Sequence, residues 1–129
     1  PKERERERAN HLAEKLGHPP RLHILKSSTN LKGLASLLEG VNLFAGLDSG
    51  VLHLAFALGK PTVAIFRDYT GKREWMPEGE NHRQVMFPCE CDQRGVNLCG
   101  QEARCLASIT PEAAAQAILE LLPAQPKTA

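Results

Sequence analysis

The sequence has no excess of either sign of charge. It carries 16 Lys and Arg residues against 15 Asp and Glu residues, which leaves a formal net charge of +1 with its five His neutral. A chain so balanced lacks the broad basic surface that is typical of nucleic-acid binding or of attachment to an anionic membrane. We therefore expect no nucleic-acid partner.

Long hydrophobic runs are also absent. No uninterrupted apolar stretch approaches the roughly 20 residues of a membrane span, and the opening residues PKERERER lack the apolar centre of a signal peptide. These absences predict a cytoplasmic protein. The 129 residues are enough to bury one core. Because the chain begins with Pro1 on a charged run, we expect it to be a piece of a longer protein.

Short apolar runs alternate with helix-like stretches over the first half of the chain. Strong helix formers fill residues 2–15, and apolar residues recur every three or four positions in LKGLASLLEG. Between such stretches lie apolar runs at 22–25, 41–46 and 61–66. This alternation is typical of β-α-β units. We therefore predict an α/β fold with a Rossmann-like parallel sheet and flanking helices.

The composition changes after Phe66. All four Cys, the only Trp and the only Tyr lie within residues 67–110, where periodicity is weak apart from a predicted strand at 84–87. A small basic and aromatic patch there, including Trp75, is interpreted as a solvated loop. Thr110 and Pro111 predict the start of a last helix. We predict one domain over residues 1–122, with 67–110 as an irregular segment and 123–129 as a flexible tail.

The stretch around Asp48, Ser49 and Gly50 carries the strongest functional signal. A predicted strand ends at Gly46, a polar turn follows, and a helix begins beside Gly50. Ligands of open α/β sheets collect at the carboxyl ends of strands, where helix N-termini attract phosphate. The Ser49 hydroxyl adds a donor, and His53 lies one helical turn further on the same face. This pattern predicts a phosphate-binding site.

The residues of this turn also permit roles other than phosphate binding. Asp48 is expected to accept hydrogen bonds from sugar hydroxyls or from its own turn, since a carboxylate repels phosphate. A turn of this kind can also be a helix cap and nothing more, with His53 half-buried. A serine-hydrolase elbow would require Gly where Leu47 stands, so we set that interpretation aside.

A family resemblance agrees with the phosphate-binding interpretation. The string DSGVLHLAFALGKPTVAIF, preceded by LKGLASLLEGVNLFAG and followed by CLASITPEAAAQAI, resembles the ADP-heptose:lipopolysaccharide heptosyltransferase family of glycosyltransferases. The resemblance implies a GT-B enzyme with two Rossmann-like lobes, of which this chain is part of the C-terminal, donor-binding lobe. It further implies a bacterial enzyme of lipopolysaccharide biosynthesis, cytoplasmic or peripheral to the inner membrane when full-length.

The resemblance also implies roles for individual residues. Asp48, Ser49, Gly50 and His53 match positions that contact the donor diphosphate and sugar. Thr29 matches a position that lines the nucleotide base, and Glu5 matches one that binds the ribose, with Glu3 and Glu7 as alternatives to Glu5. Arg67 stands where the family often has Gly, so it either crowds the cleft or contacts phosphate.

What this chain lacks limits the expected activity. The resemblance implies transfer of a heptose-like sugar from a nucleotide diphosphate donor such as ADP-heptose to a saccharide acceptor, with inversion and with no metal required. The acceptor lobe and its catalytic Asp match nothing here. We therefore expect no catalytic residue in this chain and no transferase activity from it alone. The alternative function is a non-catalytic α/β binding module with a Cys-stapled or zinc-bound loop.

Four cysteines form a cluster in the irregular segment. Cys89, Cys91, Cys99 and Cys105 have the spacing C-x-C-x7-C-x5-C. Thiolates bind zinc well, but a zinc knuckle usually has C-x2-C, so a structural zinc here is one hypothesis among three. Disulfides are disfavoured by the expected cytoplasmic location. A purely local structural role is the third interpretation.

Overall fold

The computed structural model describes residues 3–25, 29–68, 73–88 and 104–122 of the chain. Contacts divide the chain into two compact units, Pro1–Leu34 and Ala35–Ala129. Within the described ranges, no helix is both long enough and apolar enough to cross a membrane.

The first unit begins with the predicted charged helix. Helix α1 spans Glu3–Lys15, with Glu residues in its first turn and a Lys in its last turn, as the helix dipole favours. Gly17 follows with a φ of 69°, in the left-handed region where helices commonly end. The helix was therefore predicted to within one residue.

The apolar run at 22–25 forms no strand, so the sequence-based prediction is wrong there. Pro19 and Pro20 precede the run and have no amide hydrogen to donate. The amide of Leu22 instead donates to the carbonyl oxygen of Pro19 across 2.9 Å, which makes a turn. A strand of four residues would form too few hydrogen bonds with a neighbouring strand to override this local preference.

Helix α2 spans Leu31–Glu39 and begins with a side-chain cap. The side chain of Asn30 accepts a hydrogen bond of 2.9 Å from the amide of Gly33, so Asn30 caps the first turn of the helix. A Cβ atom on Gly33 would collide with the hydroxyl oxygen of Thr29. Glycine at this position therefore lets Thr29 lie against the first turn of α2.

The second unit contains a three-stranded parallel sheet. Strands β1 (Phe44–Leu47), β2 (Thr62–Asp68) and β3 (His82–Pro88) lie side by side in the order β1-β2-β3. Helix α3 (Gly50–Ala57) connects β1 to β2, which are parallel neighbours. This is the Rossmann-like α/β arrangement that the sequence predicts. Strand β3 and a 3-10 turn at Arg73–Trp75 lie within the segment expected to be irregular.

One face of the sheet packs against α3. Leu52 of α3 forms a buried cluster with Ala64, Phe66 and Met76, and Phe44 and Met86 pack against the cluster. Alternation along a strand puts Ala64 and Phe66 on the same face, because they are two residues apart. This layer holds the first turn of α3 near the carboxyl ends of the strands.

The other face of the sheet is covered by the last helix, α5 (Pro111–Leu121), which follows the short α4 (Arg104–Ala107). The Thr110 hydroxyl accepts a hydrogen bond of 3.2 Å from the amide of Ala113, so the predicted cap is confirmed. Arg83 of β3 donates to Glu120 across 3.1 Å. Hydrogen bonds from Arg83 and Gln116 hold the pKa of Glu120 below its usual value.

The amino ends of β2 and β3 meet through side chains. Thr62, which has no exposed surface, lies opposite His82, and its hydroxyl oxygen is 2.7 Å from His82 Nδ1. The Phe56 ring meets the imidazole edge-on at 4.9 Å between centroids. Partial removal from water lowers the pKa of His82, because burial disfavours the charged ring.

This His82 environment predicts a pH-dependent stability. In the unfolded chain the pKa of His82 returns to about 6.5, so at lower pH the unfolded state binds more protons than the folded state. We expect the free energy of unfolding to decrease as the pH falls below about 6.5 toward the lowered folded pKa. Urea unfolding at several pH values measures this, with H82Q as the comparison. The same pH dependence in both proteins would contradict the prediction.

Candidate functional site

The turn between β1 and α3 brings four predicted site residues together. Ser49 has extended backbone angles (φ −160°, ψ 163°) and caps α3, and its side chain accepts from the amide of Leu52 at 3.5 Å. The backbone oxygen of Ser49 accepts from the amide of His53. Helix geometry leaves the amides of Gly50 and Val51 without intrahelical acceptors, so their N–H groups are available to an anion.

Two glycines shape this turn in different ways. A Cβ on Gly46 would come within 2.9 Å of the Phe44 ring, so glycine lets that ring lie close to the end of β1. A Cβ on Gly50 would meet no atom within 4 Å. The space beside the first residue of α3 is therefore open, which is the property that a backbone-bound phosphate requires.

Asp48 and His53 contact each other across the turn. His53 Nε2 lies 3.3 Å from Asp48 Oδ1. The side chain of His53 is 41% exposed and that of Asp48 is 29% exposed. The sequence led us to expect a sugar hydroxyl or the turn's own backbone as the partner of Asp48. The five-residue spacing of the pair was a usable signal for this contact. This contact gives the carboxylate of Asp48 a partner beside the open space at Gly50.

The remaining predicted donor residues lie in the first unit, where they stay predictions. Thr29 is exposed beside the first turn of α2, and Glu5 is exposed on α1. A surface cavity of about 310 Å³ on the same unit is lined by Glu3, Arg6, Glu7, Asn10 and Ile24. The two alternatives to Glu5 therefore border this cavity, whereas Glu5 is absent from its lining.

Strand alternation bears on Arg67, whose role the sequence left open. Phe66 faces α3, so the side chain of its neighbour Arg67 leaves the strand on the opposite face of β2. That face is the one that α5 covers. Asp68, two residues beyond Phe66, lies on the α3 face at the carboxyl end of the strand.

The zinc hypothesis rests largely on residues outside the described ranges. Cys89, Cys91 and Cys99 lie outside them, whereas Cys105 is buried in α4. In residues 3–25, 29–68, 73–88 and 104–122, no group of three or more His, Cys, Asp or Glu side chains is arranged to hold a metal ion. A structural zinc stays a prediction.

The fold is a Rossmann-like α/β arrangement, and a family model identifies the class of protein. Rossmann-like α/β proteins bind their ligands at the carboxyl ends of the strands, and the β1–α3 turn stands at such an end. The model of glycosyltransferase family 9 (heptosyltransferase) matches residues 1–103, which is most of the chain. The chain therefore belongs to this family of glycosyltransferases. Comparison with curated proteins and with solved structures found no match.

Proposed function

We propose that the β1–α3 turn binds the diphosphate of a nucleotide-sugar donor. The full-length enzyme would transfer a heptose-like sugar from a donor such as ADP-heptose to a lipopolysaccharide-type acceptor. The observation that carries the proposal is the Ser49-capped N-terminus of α3, which opens beside Gly50 and has His53 one turn along the helix. Membership of the family supports a nucleotide-sugar donor in general terms.

The geometry of the turn suits a leaving diphosphate. As the bond to the sugar breaks, negative charge builds up on the nucleotide phosphates. The amides of Gly50 and Val51, the helix dipole behind them and a hydrogen bond from the His53 ring would stabilise that charge. Asp48 can in addition accept a hydrogen bond from a sugar hydroxyl, because each carboxylate oxygen has more than one lone pair. The base that deprotonates the acceptor hydroxyl would come from the lobe that this chain does not contain.

Titration with nucleotides tests the proposal. We expect ADP to shift the backbone amide signals of Ser49, Gly50 and Val51 in the nitrogen-edited NMR spectrum of the labelled chain. Separate titrations with UDP, GDP and CDP show which base the site prefers. We expect H53A to weaken ADP binding about 10- to 100-fold, because a charge-assisted hydrogen bond to phosphate is lost.

A second histidine provides the matched control. His11 is exposed on α1, where its Nδ1 lies 3.9 Å from a carboxylate oxygen of the exposed Glu14. H11A therefore removes the same kind of ring as H53A, but from a different helix. We expect H11A to bind ADP as the unchanged chain does. Equal losses in both variants would count against His53 as a phosphate ligand. Unmoved amides at Ser49 to His53 in a folded chain would favour the alternative, a non-catalytic binding module.

A further inference from the structure

The end of strand β1 carries three residues at alternate positions on the side of α3. Phe44 packs against the buried cluster that contains Leu52 of α3, and Gly46 is half-buried two residues further on. Asp48 follows at the same spacing and contacts His53 of α3. Successive residues of a strand point to opposite faces, so these three positions form the side of β1 that meets the helix.

The ring of Phe44 extends along β1 and lies over Gly46. A Cβ atom on Gly46 would stand 2.9 Å from Phe44 Cζ and 3.0 Å from Cε1. Carbon atoms pack at roughly 3.5 to 4.0 Å, so both separations are too short. Gly46 lies within a strand and does not have a positive φ, so its backbone conformation does not itself require glycine. Glycine is required at this position because the ring approaches it so closely.

The Phe44 ring has little room to move away. The amide of Phe44 donates to the carbonyl oxygen of Pro61 across 2.9 Å, and Gly46 pairs with Ala64 in the sheet. On the inner side, the ring packs against a cluster in which Leu52 and Ala64 have no exposed surface. Close-packed groups cannot take up an added methyl group without a shift. A side chain at position 46 would therefore displace either the ring or the end of β1.

The first turn of α3 is held against β1 at two points. Leu52 lies in the cluster against which Phe44 packs, and its amide donates to the Ser49 side chain. At the second point, Asp48 contacts His53 across 3.3 Å. The separation between the end of β1 and this turn therefore depends on what fills the space at Phe44.

We propose that Phe44 is a positioning residue for the diphosphate site, an inference that rests on the proposed function. The ring lies over Gly46 and sets the separation between the end of β1 and the first turn of α3. It thereby sets the direction in which the amides of Gly50 and Val51 point. Groups that bind a ligand must be held to within about 0.5 Å of their best geometry, so a small displacement of this turn lowers affinity.

Alanine at position 46 tests the role of the ring. We expect G46A to shift the amide signals of Gly50 and Val51 without ligand, and to weaken ADP binding about three- to tenfold. Inorganic pyrophosphate has no nucleoside, and we expect it to lose affinity by the same factor. A loss for ADP alone would place the effect at the nucleoside and overturn the proposal.

A double variant tests whether the two residues act together. F44L leaves a space above Gly46, so we expect it also to weaken ADP binding about three- to tenfold. In F44L/G46A the added methyl group enters the space that the ring has left. We therefore expect the double variant to bind ADP more tightly than either single variant. Losses that simply multiply would show that the two residues act separately and would overturn the proposal.

Met86 provides the matched control. It packs against the same buried cluster, but from β3, which does not lead into the turn. We expect M86A to be less stable in urea unfolding and to bind ADP as the unchanged chain does. Equal losses of affinity in M86A and F44L would show that binding follows the stability of the whole core, and would overturn the positioning role.

Failure of the positioning role can be distinguished from failure of the proposed function. Unchanged ADP affinity in folded F44L and G46A would overturn the role of Phe44 and leave the diphosphate site intact. Absence of ADP binding by the unchanged chain would remove the proposed function itself, and the positioning role with it.

Discussion

Replacing Gly50 with aspartate is expected to leave the chain folded and to weaken ADP binding about 10- to 100-fold. A side chain at this position meets no atom within 4 Å, so the substitution causes no clash. A carboxylate in the first turn of a helix stabilises it by about 0.3 to 1 kcal/mol, since the N-terminus carries partial positive charge. The same carboxylate would occupy the position proposed for the phosphate, and its negative charge would repel the phosphate.

The isosteric variant separates charge from size. G50N has the same shape as G50D without the negative charge, so we expect it to lose much less affinity for ADP. Thermal unfolding gives the stability of each variant, and NMR titration gives its dissociation constant for ADP. Unchanged ADP affinity in G50D would exclude the α3 N-terminus as the diphosphate site, since the stability measurement shows independently that the variant folds.

The second large effect is expected at Phe66. Its side chain is 2% exposed and packs in the buried cluster with Leu52 and Met76. Truncation to alanine removes this contact area and leaves a cavity, so we expect F66A to lose about 3 to 5 kcal/mol of the free energy of unfolding. For a domain whose total stability is about 5 to 15 kcal/mol, this is a large fraction.

Phe87 offers the comparison for Phe66, because it is 42% exposed near the end of β3. The chemical change in F87A is identical, but less burial is lost, so we expect about 1 kcal/mol or less. Urea unfolding followed by circular dichroism measures both variants. Similar losses in F66A and F87A would show that the cluster around Leu52 does not form the main core.

Local signals account for the elements that the sequence predicted well. Thr110 and Pro111 specify the start of α5 through a cap and a fixed backbone angle, and both act within one helical turn. The run at 61–66 predicted β2, because it is almost wholly apolar and is buried between neighbouring strands. By contrast, the shorter apolar run at 22–25 follows two prolines and the turn in which they lie, and it forms no strand.

Contacts between residues distant in sequence could not be predicted from the chain alone. The sequence indicated Ser49, Gly50 and His53 as neighbours of a phosphate, because a helix fixes their spacing. The placement of Met76 beside Leu52 depends on how the segment between β2 and β3 returns to the sheet, and no periodic pattern encodes that path.

The hydrogen bond between Thr62 and His82 has a consequence for strand register. Thr62 faces His82 at one end of the β2–β3 ladder, and Asp68 faces Pro88 at the other, roughly 20 Å away. A slip of one residue would break the pairing of the buried hydroxyl and turn Phe66 away from Leu52. A polar contact at the amino end of the sheet thus selects which side chains reach its carboxyl end, far beyond its own range of interaction.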